Sequence, residues 1–263
     1  MSDHVVSRRR LLRTGLGTIA ASTVAGCKVL DGLSAPDHRL RHFMERANDL
    51  TMAMQRGVLD RDALAQEFAP VDIRQPQRPN GVTDPQDADY VAHRNARFAN
   101  YRLEVGGLVH RPLSLSLADL RQMPTRRQIT RHDCVEGWSC IAEWAGVPLW
   151  HVLDRAMVHT SARYVLFHCF DTIERSLSGA IRYYETIDLV DARHPQTLLA
   201  WGMNGAPLPV PNGAPLRVRV ERQLGYKMAK YVRAIELVDD FSGIGRGRGG
   251  YWEDRGYEWY AGI

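Results

Sequence analysis

The chain has 263 residues, of which 44% are hydrophobic and 24% are charged, the composition of an ordinary folded protein and not of a disordered one. Its formal net charge is +4, but residues 1–26 hold four arginines against one aspartate, so the remainder is nearly neutral and gives no electrostatic case for binding nucleic acid. No stretch of about 18 uninterrupted apolar residues is present, so a permanent membrane-spanning helix is not expected.

The N-terminal segment has the order of a cleavable export signal: basic residues within 7–13, a modestly apolar run at 16–25, and small residues before Cys27. The basic part resembles the twin-arginine signal, which directs folded proteins across the bacterial inner membrane, and residues 24–27 (VAGC) resemble a lipobox. We therefore predict a signal over residues 1–27, a periplasmic protein and a lipid anchor on Cys27; plain cleavage nearby is the alternative. Proteins exported in the folded state often carry a cofactor, so a cofactor site is expected.

Residues 35–89 are predicted to form a helical and irregular N-terminal segment that covers the domain after it. Apolar residues recur at helical spacing in its first part, at Leu40, Phe43, Met44, Ala47, Leu50 and Met54. Residues 69–100 are rich in Pro, Asn, Asp and Gln and lack a clear period, which indicates an irregular crossing loop.

Strand-like runs dominate the rest of the chain, at residues 101–109, 127–134, 163–170, 197–203, 215–221 and 231–239. Short helices fit between some of them: Ser116 can cap one, and Pro148 can open another at its first position. Strands mixed irregularly with short helices indicate an α+β, mainly β domain and not a doubly wound parallel sheet.

Residues 241–263 are predicted as a tail rich in glycine and aromatic residues. The glycines at 245, 247 and 250 match the dinucleotide-binding pattern, but the sequence after them predicts no helix whose N-terminus could receive a pyrophosphate, so we reject that interpretation. The aromatic residues of the tail are most often packing residues, and lining a substrate entrance is the sharper hypothesis.

Cys134, in the stretch RHDCVEGW, is the residue whose chemistry the sequence alone leaves open. In an exported protein a disulfide with Cys140 is the plainest interpretation. A zinc site with His132, Cys140 and His151 fits no common ligand spacing, and a nucleophile activated by a histidine is a third alternative. A thiolate is also a suitable ligand for a redox metal.

A basic stretch over residues 211–230 suggests an anion site. Five basic residues gather around a loop at Gly225, and arginine and lysine together suit a phosphate; they are Arg217, Arg219, Arg222, Lys227 and Lys230. The alternative is the solvated face of an ordinary strand.

Three separated stretches resemble the molybdopterin-binding domain of the sulfite oxidase superfamily, in the order of that family. They are HRNARFANYRLEVGGLV, RHDCVEGWSCIAEWAGVPLWHVL and LLAWGMNGAPLPVPNGAPLRVRVERQLGYKMAKYVRAIEL. The resemblance implies a molybdopterin-binding oxidoreductase domain over residues 90–240. Within the superfamily, CVEGWS followed by WAGVPL is similar to the periplasmic branch that includes the protein-methionine-sulfoxide reductases.

The resemblance also implies a cofactor and its ligands: one molybdenum atom held by one molybdopterin, with the Cys134 thiolate as the protein ligand of the metal. By position in the family pattern, contacts to the pterin or its phosphate would come from Asn95, Cys169, Asn212, Arg217, Met228, Ala229 and Lys230, with Arg217 and Lys230 at the phosphate. Cys169 departs from the pattern if a hydroxyl residue is usual there. Glu136 would face the open side of the metal and relay protons; a solvated or salt-bridged glutamate is the alternative.

We therefore expect a molybdenum-dependent oxidoreductase of the cell envelope that transfers an oxygen atom with two electrons, either reducing a small or protein-bound sulfoxide or oxidising sulfite. The chain contains no haem-attachment or iron–sulfur cysteine set, so a one-electron carrier such as a membrane haem protein or a cytochrome is the expected partner. The rival hypothesis is a non-catalytic envelope lipoprotein that serves as a binding module, with Cys134 paired to Cys140.

Overall fold

The computed structural model describes residues 39–176 and 179–263. The predicted export signal and its Cys27 lie outside these residues. The chain divides into two compact units, Met1–Ala53 and Met54–Ile263, and of the first unit the structure describes residues 39–53. None of the helices in the described part is both long and apolar enough to cross a membrane.

The helices within the described residues are α1 (Arg39–Val58), α2 (Ala88–Asn95), α3 (Leu117–Gln122), α4 (Leu149–Ala156) and α5 (Leu189–Ala192). The strands are β1 (Arg102–Gly107), β2 (Leu113–Ser116), β3 (Arg126–Cys134), β4 (Trp138–Pro148), β5 (Tyr164–Ser176), β6 (Gly179–Asp188), β7 (Leu198–Met203), β8 (Ala206–Pro207), β9 (Arg217–Arg219) and β10 (Val232–Val238).

The strands form two five-stranded sheets. In the first the order is β2-β1-β10-β5-β6, with β1 and β10 parallel and the other neighbours antiparallel. In the second the order is β3-β4-β7-β8, and β9 pairs with β7, all antiparallel. The predicted α+β, mainly β class is confirmed.

Alternation along the strands decides which side chains enter the core. In β1, Leu103 and Val105 are buried and point to the same face, because successive side chains of a strand face opposite ways. Buried residues of α4, among them Leu149 and Leu153, belong to the same large apolar cluster. A second, smaller cluster on the other sheet includes the buried Trp144. Packing within these two clusters holds in place the strands that carry the site residues.

The hairpin between β3 and β4 places Cys134 at the end of its strand. Cys134 pairs with Trp138, and the turn between them closes with the Gly137 N–H donating to the Cys134 carbonyl at 3.0 Å. Gly137 has φ +83°, a conformation that favours glycine. The hairpin therefore holds Cys134 beside a tight turn.

Two N-terminal features differ from what the sequence predicts. The apolar period does form helix α1, but three of its apolar side chains, Phe43, Leu50 and Met54, are 60–69% exposed. The region predicted as a crossing loop contains helix α2. Its Tyr90 is fully buried and donates through its hydroxyl to the Ala214 carbonyl at 2.8 Å, so long-range packing stabilises a helix that local sequence does not signal.

Candidate active site

A cavity of about 230 Å³ opens beside Cys134. Five parts of the chain line it: the crossing loop at 80–82, the hairpin turn at 134–136, residues Asp171, Ile173 and Tyr183 of the first sheet, the segment 225–230, and Trp252 with Tyr257 of the C-terminal segment. A wider groove of about 570 Å³ lies elsewhere, along β1, β2 and β10, and its lining contains none of the predicted site residues.

Cys134 is a half-buried free thiol on the cavity lining. Burial raises its pKa above the usual value, although a hydrogen bond from the Glu136 backbone N–H opposes that shift. The thiol is therefore protonated at neutral pH and must lose its proton before it can ligate a metal.

The disulfide alternative for Cys134 is wrong. Cys134, Cys140 and Cys169 are all free. Cys140 lies opposite His132 in the hairpin, and its Sγ donates to the Gln77 side-chain oxygen at 2.8 Å. The rival hypothesis of a binding module built on a Cys134–Cys140 disulfide loses its structural basis.

The zinc and histidine alternatives also find no support. Within residues 39–176 and 179–263, no three His, Cys, Asp or Glu side chains are grouped so that they could hold a metal ion. His132 is buried, and its Nδ1 lies 3.0 Å from the Arg219 guanidinium, which makes Nδ1 an acceptor. Burial and the charge of Arg219 keep the pKa of His132 well below its usual value, so the ring is neutral.

Glu136 lies at the exposed edge of the cavity. Its carboxylate accepts a hydrogen bond from Trp138 Nε1 at 2.9 Å and lies 3.7 Å from the Arg78 guanidinium. Arg78 in turn sits over the Trp138 ring, 4.9 Å from its centroid. This carboxylate reaches both solvent and the cavity, the position a proton relay needs.

Arg217 is a buried cation with unused donors. Its Nη1 donates to the Asn212 carbonyl at 2.9 Å, while Nε and Nη2 find no hydrogen-bond partner among the described residues. Burial, with the nearby charge of Arg219, lowers the pKa of Arg217 to about 9. A buried guanidinium with unused donors favours an anionic ligand, because an unpaired charge inside a protein is energetically unfavourable.

Lys230 lies next to Arg217 and lines the cavity. Its ammonium is buried and donates to three main-chain carbonyls, those of Asn80, Val82 and Pro211. Burial, followed by the charge of Arg217, lowers the pKa of Lys230 to about 7. Arg217 and Lys230 lie side by side, and an arginine beside a lysine suits a phosphate group.

The other basic residues of the stretch are already paired with carboxylates. Arg219 makes two hydrogen bonds to Glu221, at 2.9 and 2.6 Å, and both side chains are fully buried. Arg222 lies 3.0 Å from an Asp191 oxygen. The interpretation of this strand as a solvated basic face is wrong, since Arg217 and Arg219 are 2% and 0% exposed.

The remaining predicted contacts are dispersed. Asn212, Met228 and Ala229 are buried in the two segments that carry Arg217 and Lys230, and neither they nor Arg217 lie on the cavity lining. Cys169 is buried in the main apolar cluster, and Asn95 is exposed at the end of α2; neither lies on the cavity lining.

Asp171 is a site residue that the sequence analysis missed. It lines the cavity, it is 3% exposed, and its Oδ1 has no hydrogen-bond partner among the described residues. Burial raises its pKa to about 7, although the ammonium of Lys230 opposes the shift. The available signal was a single acid at the end of the apolar run YVLFHCFD, since a charged residue in such a run is a candidate for function.

Comparison with known proteins gives a family and several relatives. The model of the family described as the oxidoreductase molybdopterin binding domain matches residues 90–243. A relative from Azospira oryzae that carries the name of a protein-methionine-sulfoxide reductase subunit, YedZ1, is 34% identical over 256 residues, which are 97% of this chain and 88% of the relative. The catalytic subunit MsrP of the protein-methionine-sulfoxide reductase from Xanthomonas axonopodis pv. citri is 37% identical over 163 residues, 60% of this chain and 50% of that protein.

Among solved structures, the sulfane dehydrogenase SoxCD from Paracoccus pantotrophus aligns with a TM-score of 0.48 and 23% identity, over 54% of this chain and 39% of that chain. The chain thus spans most of the Azospira relative but only about half the length of the MsrP relative.

Proposed function

Because the chain belongs to the oxidoreductase molybdopterin binding domain family, we propose that it reduces organic sulfoxides with a molybdenum atom held by one molybdopterin. Membership makes the chain an oxidoreductase of the molybdopterin type. The choice of sulfoxide reduction over sulfite oxidation, and the roles of individual residues, are proposals argued from the cavity.

The observation that carries the proposal is the buried guanidinium of Arg217, with two nitrogen atoms that no described residue engages. These donors and the Lys230 ammonium fit the terminal phosphate of a molybdopterin. An arginine can bind a phosphate through two parallel N–H groups, and a lysine through its localised charge. Cys134 offers the thiol that would ligate the metal, at the same cavity as Lys230. When bound, the molybdenum–pterin group would supply two-electron oxygen-atom transfer.

Other side chains would hold the organic part of the cofactor. Asp171 offers an unpartnered buried oxygen to the N–H donors of the pterin ring. Asn212, Met228 and Ala229 lie in the segments that carry Arg217 and Lys230, and we propose them as further contacts. Asn95 and Cys169 are proposed from their places in the family pattern alone.

The charges on the cavity lining favour a neutral substrate. The charged side chains there are Glu136, Asp171 and Lys230, two carboxylates and one ammonium, and the ammonium is held by main-chain carbonyls. No arginine is among the described residues of this lining, and Lys230 is assigned to the cofactor phosphate, so sulfite, an anion, finds no free cation there. A sulfoxide is neutral and polar at oxygen, so the same lining accepts it.

Reduction of one sulfoxide to a sulfide and water consumes two electrons and two protons. We propose that Glu136 passes these protons from solvent, because its carboxylate is exposed and also borders the cavity. Hydrogen bonding from Trp138 Nε1 orients that carboxylate. The electrons would come one at a time from a partner such as a membrane haem protein or a cytochrome.

We also propose that the protein works in the periplasm, reached by the twin-arginine route, with a lipid on Cys27. The sequence order of residues 1–27 supports this proposal. Mass spectrometry of the mature N-terminus tests it: a lipidated Cys27 is expected, and an unmodified terminus downstream of Cys27 would rule out the anchor.

The decisive test of function combines composition with activity. Protein purified from its bacterial host should contain about one molybdenum and one pterin per chain and should reduce sulfoxides when a reduced viologen dye supplies electrons. Cys134→Ser should abolish turnover, whereas Cys140→Ser should not. A fully matured protein that contains no molybdenum, or one that oxidises sulfite and reduces no sulfoxide, would contradict the proposal.

A further inference from the structure

The C-terminal segment supplies an aromatic wall to the cavity that contains Cys134. Trp252 and Tyr257 line this cavity together with Tyr226. The rings of Trp252 and Tyr257 stack with their centroids 5.3 Å apart, and Tyr257 meets Tyr226 edge-on at 5.1 Å. We call these three residues the aromatic wall.

The wall carries apolar surface that the protein does not cover. Tyr257 is 37% exposed, and Val135, which follows Cys134 and also lines the cavity, is 42% exposed. Aromatic rings bind apolar groups and sulfur-bearing groups through dispersion and through sulfur–ring contacts. The wall therefore offers a surface to the part of a sulfoxide that does not react.

Hydrogen bonds fix the wall before any ligand binds. The Tyr226 hydroxyl donates to the Glu258 carbonyl at 2.6 Å, and the Tyr183 hydroxyl donates to the Tyr226 carbonyl. A surface that is already ordered loses little conformational entropy when it binds a ligand. Its contacts can therefore contribute to affinity.

A buried ion cluster anchors the wall to the body of the domain. Lys227 Nζ lies 2.6 Å from a Glu185 oxygen and 2.5 Å from a Glu253 oxygen, and all three side chains are excluded from solvent. Burial alone would lower the pKa of Lys227, but the two carboxylates outweigh burial and raise it, so the lysine keeps its charge. Lys227 follows Tyr226 and Glu253 follows Trp252 in the chain, so this ion pair ties the two parts of the wall together.

We propose that the aromatic wall is the specificity element of the cavity, binding the apolar substituent of a bulky organic sulfoxide, and that Glu253 is a positioning residue that holds the wall through Lys227. The inference rests on the proposed sulfoxide reduction and adds to it what distinguishes one sulfoxide from another. Dimethyl sulfoxide presents only methyl groups to the wall, whereas methyl p-tolyl sulfoxide presents an aromatic ring. The wall should therefore contribute more to binding of methyl p-tolyl sulfoxide than to binding of dimethyl sulfoxide.

The first test compares the KM values of these two sulfoxides for the cofactor-loaded protein, with a reduced viologen dye as electron donor. Trp252→Ala and Tyr257→Ala should each raise the KM for methyl p-tolyl sulfoxide about tenfold, a change several times larger than their effect on the KM for dimethyl sulfoxide. Trp150→Ala is the matched control, because Trp150 stacks on His151 away from the cavity lining. Equal changes for both substrates, or no change for either, would overturn the proposal.

The second test concerns Glu253. Glu253→Ala should raise the KM for methyl p-tolyl sulfoxide as the wall variants do, because Lys227 then no longer forms an ion pair with the segment that carries Trp252 and Tyr257. Glu253→Gln should restore the original KM, since its amide oxygen still accepts a hydrogen bond from the ammonium. If both variants alter this KM alike, or if neither alters it, the positioning role is excluded.

The third test needs no turnover. Calorimetric titration of the cofactor-loaded protein with methyl p-tolyl sulfone, which carries the same substituent, should give about tenfold weaker binding for Tyr257→Ala than for the unaltered protein. If the unaltered protein binds the sulfone in this way but reduces no sulfoxide, the proposed function fails and the wall is upheld. If it reduces sulfoxides but all variants bind the sulfone equally, the wall is rejected and the proposed function stands.

Discussion

Arg217 and Lys230 converge on one glycine: a Cβ built at Gly213 would lie 3.1 Å from the Cβ atoms of both residues. Gly213 also has φ +113°, in the region that favours glycine. The two cations that we assign to the cofactor phosphate therefore depend on a residue without a side chain between them.

Gly213→Ala should reduce the molybdenum and pterin content of the purified protein by more than half. The added methyl group strains the backbone and displaces Arg217 and Lys230 by a few tenths of an ångström. Gly205→Ala is the matched control, because Gly205 also has a positive φ, +75°, but a Cβ there meets nothing within 4 Å. Both variants should lose about 1–2 kcal/mol of stability from the backbone, and equal cofactor content in the two would contradict the role of Gly213.

Arg217→Gln and Arg219→Gln should affect different properties, although both arginines lie over the Trp144 ring. The first should lower cofactor content, and the second should lower stability. Loss of Arg217 removes a buried cation with unused donors, so cofactor content should fall at least tenfold while the unfolding free energy of the cofactor-free protein changes by less than about 1 kcal/mol. Loss of Arg219 leaves the Glu221 carboxylate without its main partner, so that protein should be destabilised by about 3–5 kcal/mol. Urea unfolding and metal analysis distinguish the two, and full loading of Arg217→Gln would exclude Arg217 from the phosphate site.

Asp171→Asn should change how the stability of the cofactor-free protein depends on pH. The folded-state pKa of Asp171 is raised to about 7 from a usual value of 3.8, so between those pH values the folded protein holds a proton that the unfolded chain has lost. The carboxyl therefore makes the protein less stable as pH rises from about 4 to about 7. The variant has no carboxyl to titrate at this position. Its free energy of unfolding, relative to that of the unaltered protein, should therefore rise by up to about 4 kcal/mol between pH 4 and pH 8.

Thermal unfolding at several pH values measures this difference. Lys230 titrates near the same pH and interacts with Asp171, so the measured difference includes the change in the pKa of Lys230 that follows from loss of the Asp171 charge. Asp239→Asn, at an exposed carboxyl just after β10 and away from the cavity lining, serves as the control for the substitution itself. Parallel curves for Asp171→Asn and the unaltered protein would mean that the carboxyl is solvated.

Glu136→Gln should lower kcat about a hundredfold or more with no loss of molybdenum, because glutamine retains an oxygen for Trp138 Nε1 but carries no acidic proton. Glu143→Gln, at a carboxylate paired with Arg127 on the hairpin, should leave turnover unchanged. A kcat within twofold of normal would leave Glu136 as a surface residue that orients Trp138.

Cys134 should be alkylated before the other described cysteines in the cofactor-free protein, since it is half-buried while Cys140 and Cys169 are 7% and 1% exposed. The rate should rise with pH, because burial raises the pKa of this thiol and the thiolate is the reactive form. Peptide mapping after iodoacetamide treatment measures it, and cofactor loading should protect Cys134. An equally fast reaction in the loaded protein would exclude Cys134 as the metal ligand.

The sequence could predict the class of the fold and the position of Cys134, because both follow from local patterns. Alternation and turn residues define the strands, and the hairpin at RHDCVEGW is short enough for its residues to determine it. Family, cofactor class and enzyme type follow from separated motifs in a fixed order.

The sequence could not distinguish Arg217 from Arg219. Both are arginines on the same face of one short strand, and only the fold decides that Arg219 meets the Glu221 carboxylate while two nitrogens of Arg217 meet no protein acceptor. Asp171 and helix α2 were missed for the same reason, since burial of Asp171 and of Tyr90 depends on segments far away in the chain.

The ion pair between Lys227 and Glu253 also sets the order in which the cavity can be completed. A chain is synthesised from its N-terminus, and Trp252 and Tyr257 come after every other residue on the cavity lining, in the segment that also carries Glu253 and Glu258. Until residues 252–257 dock, Lys227 has Glu185 but lacks Glu253, and the side of the cavity that Trp252 and Tyr257 line is not formed. Docking of the C-terminal segment therefore completes the cavity and the ion cluster of Lys227 together.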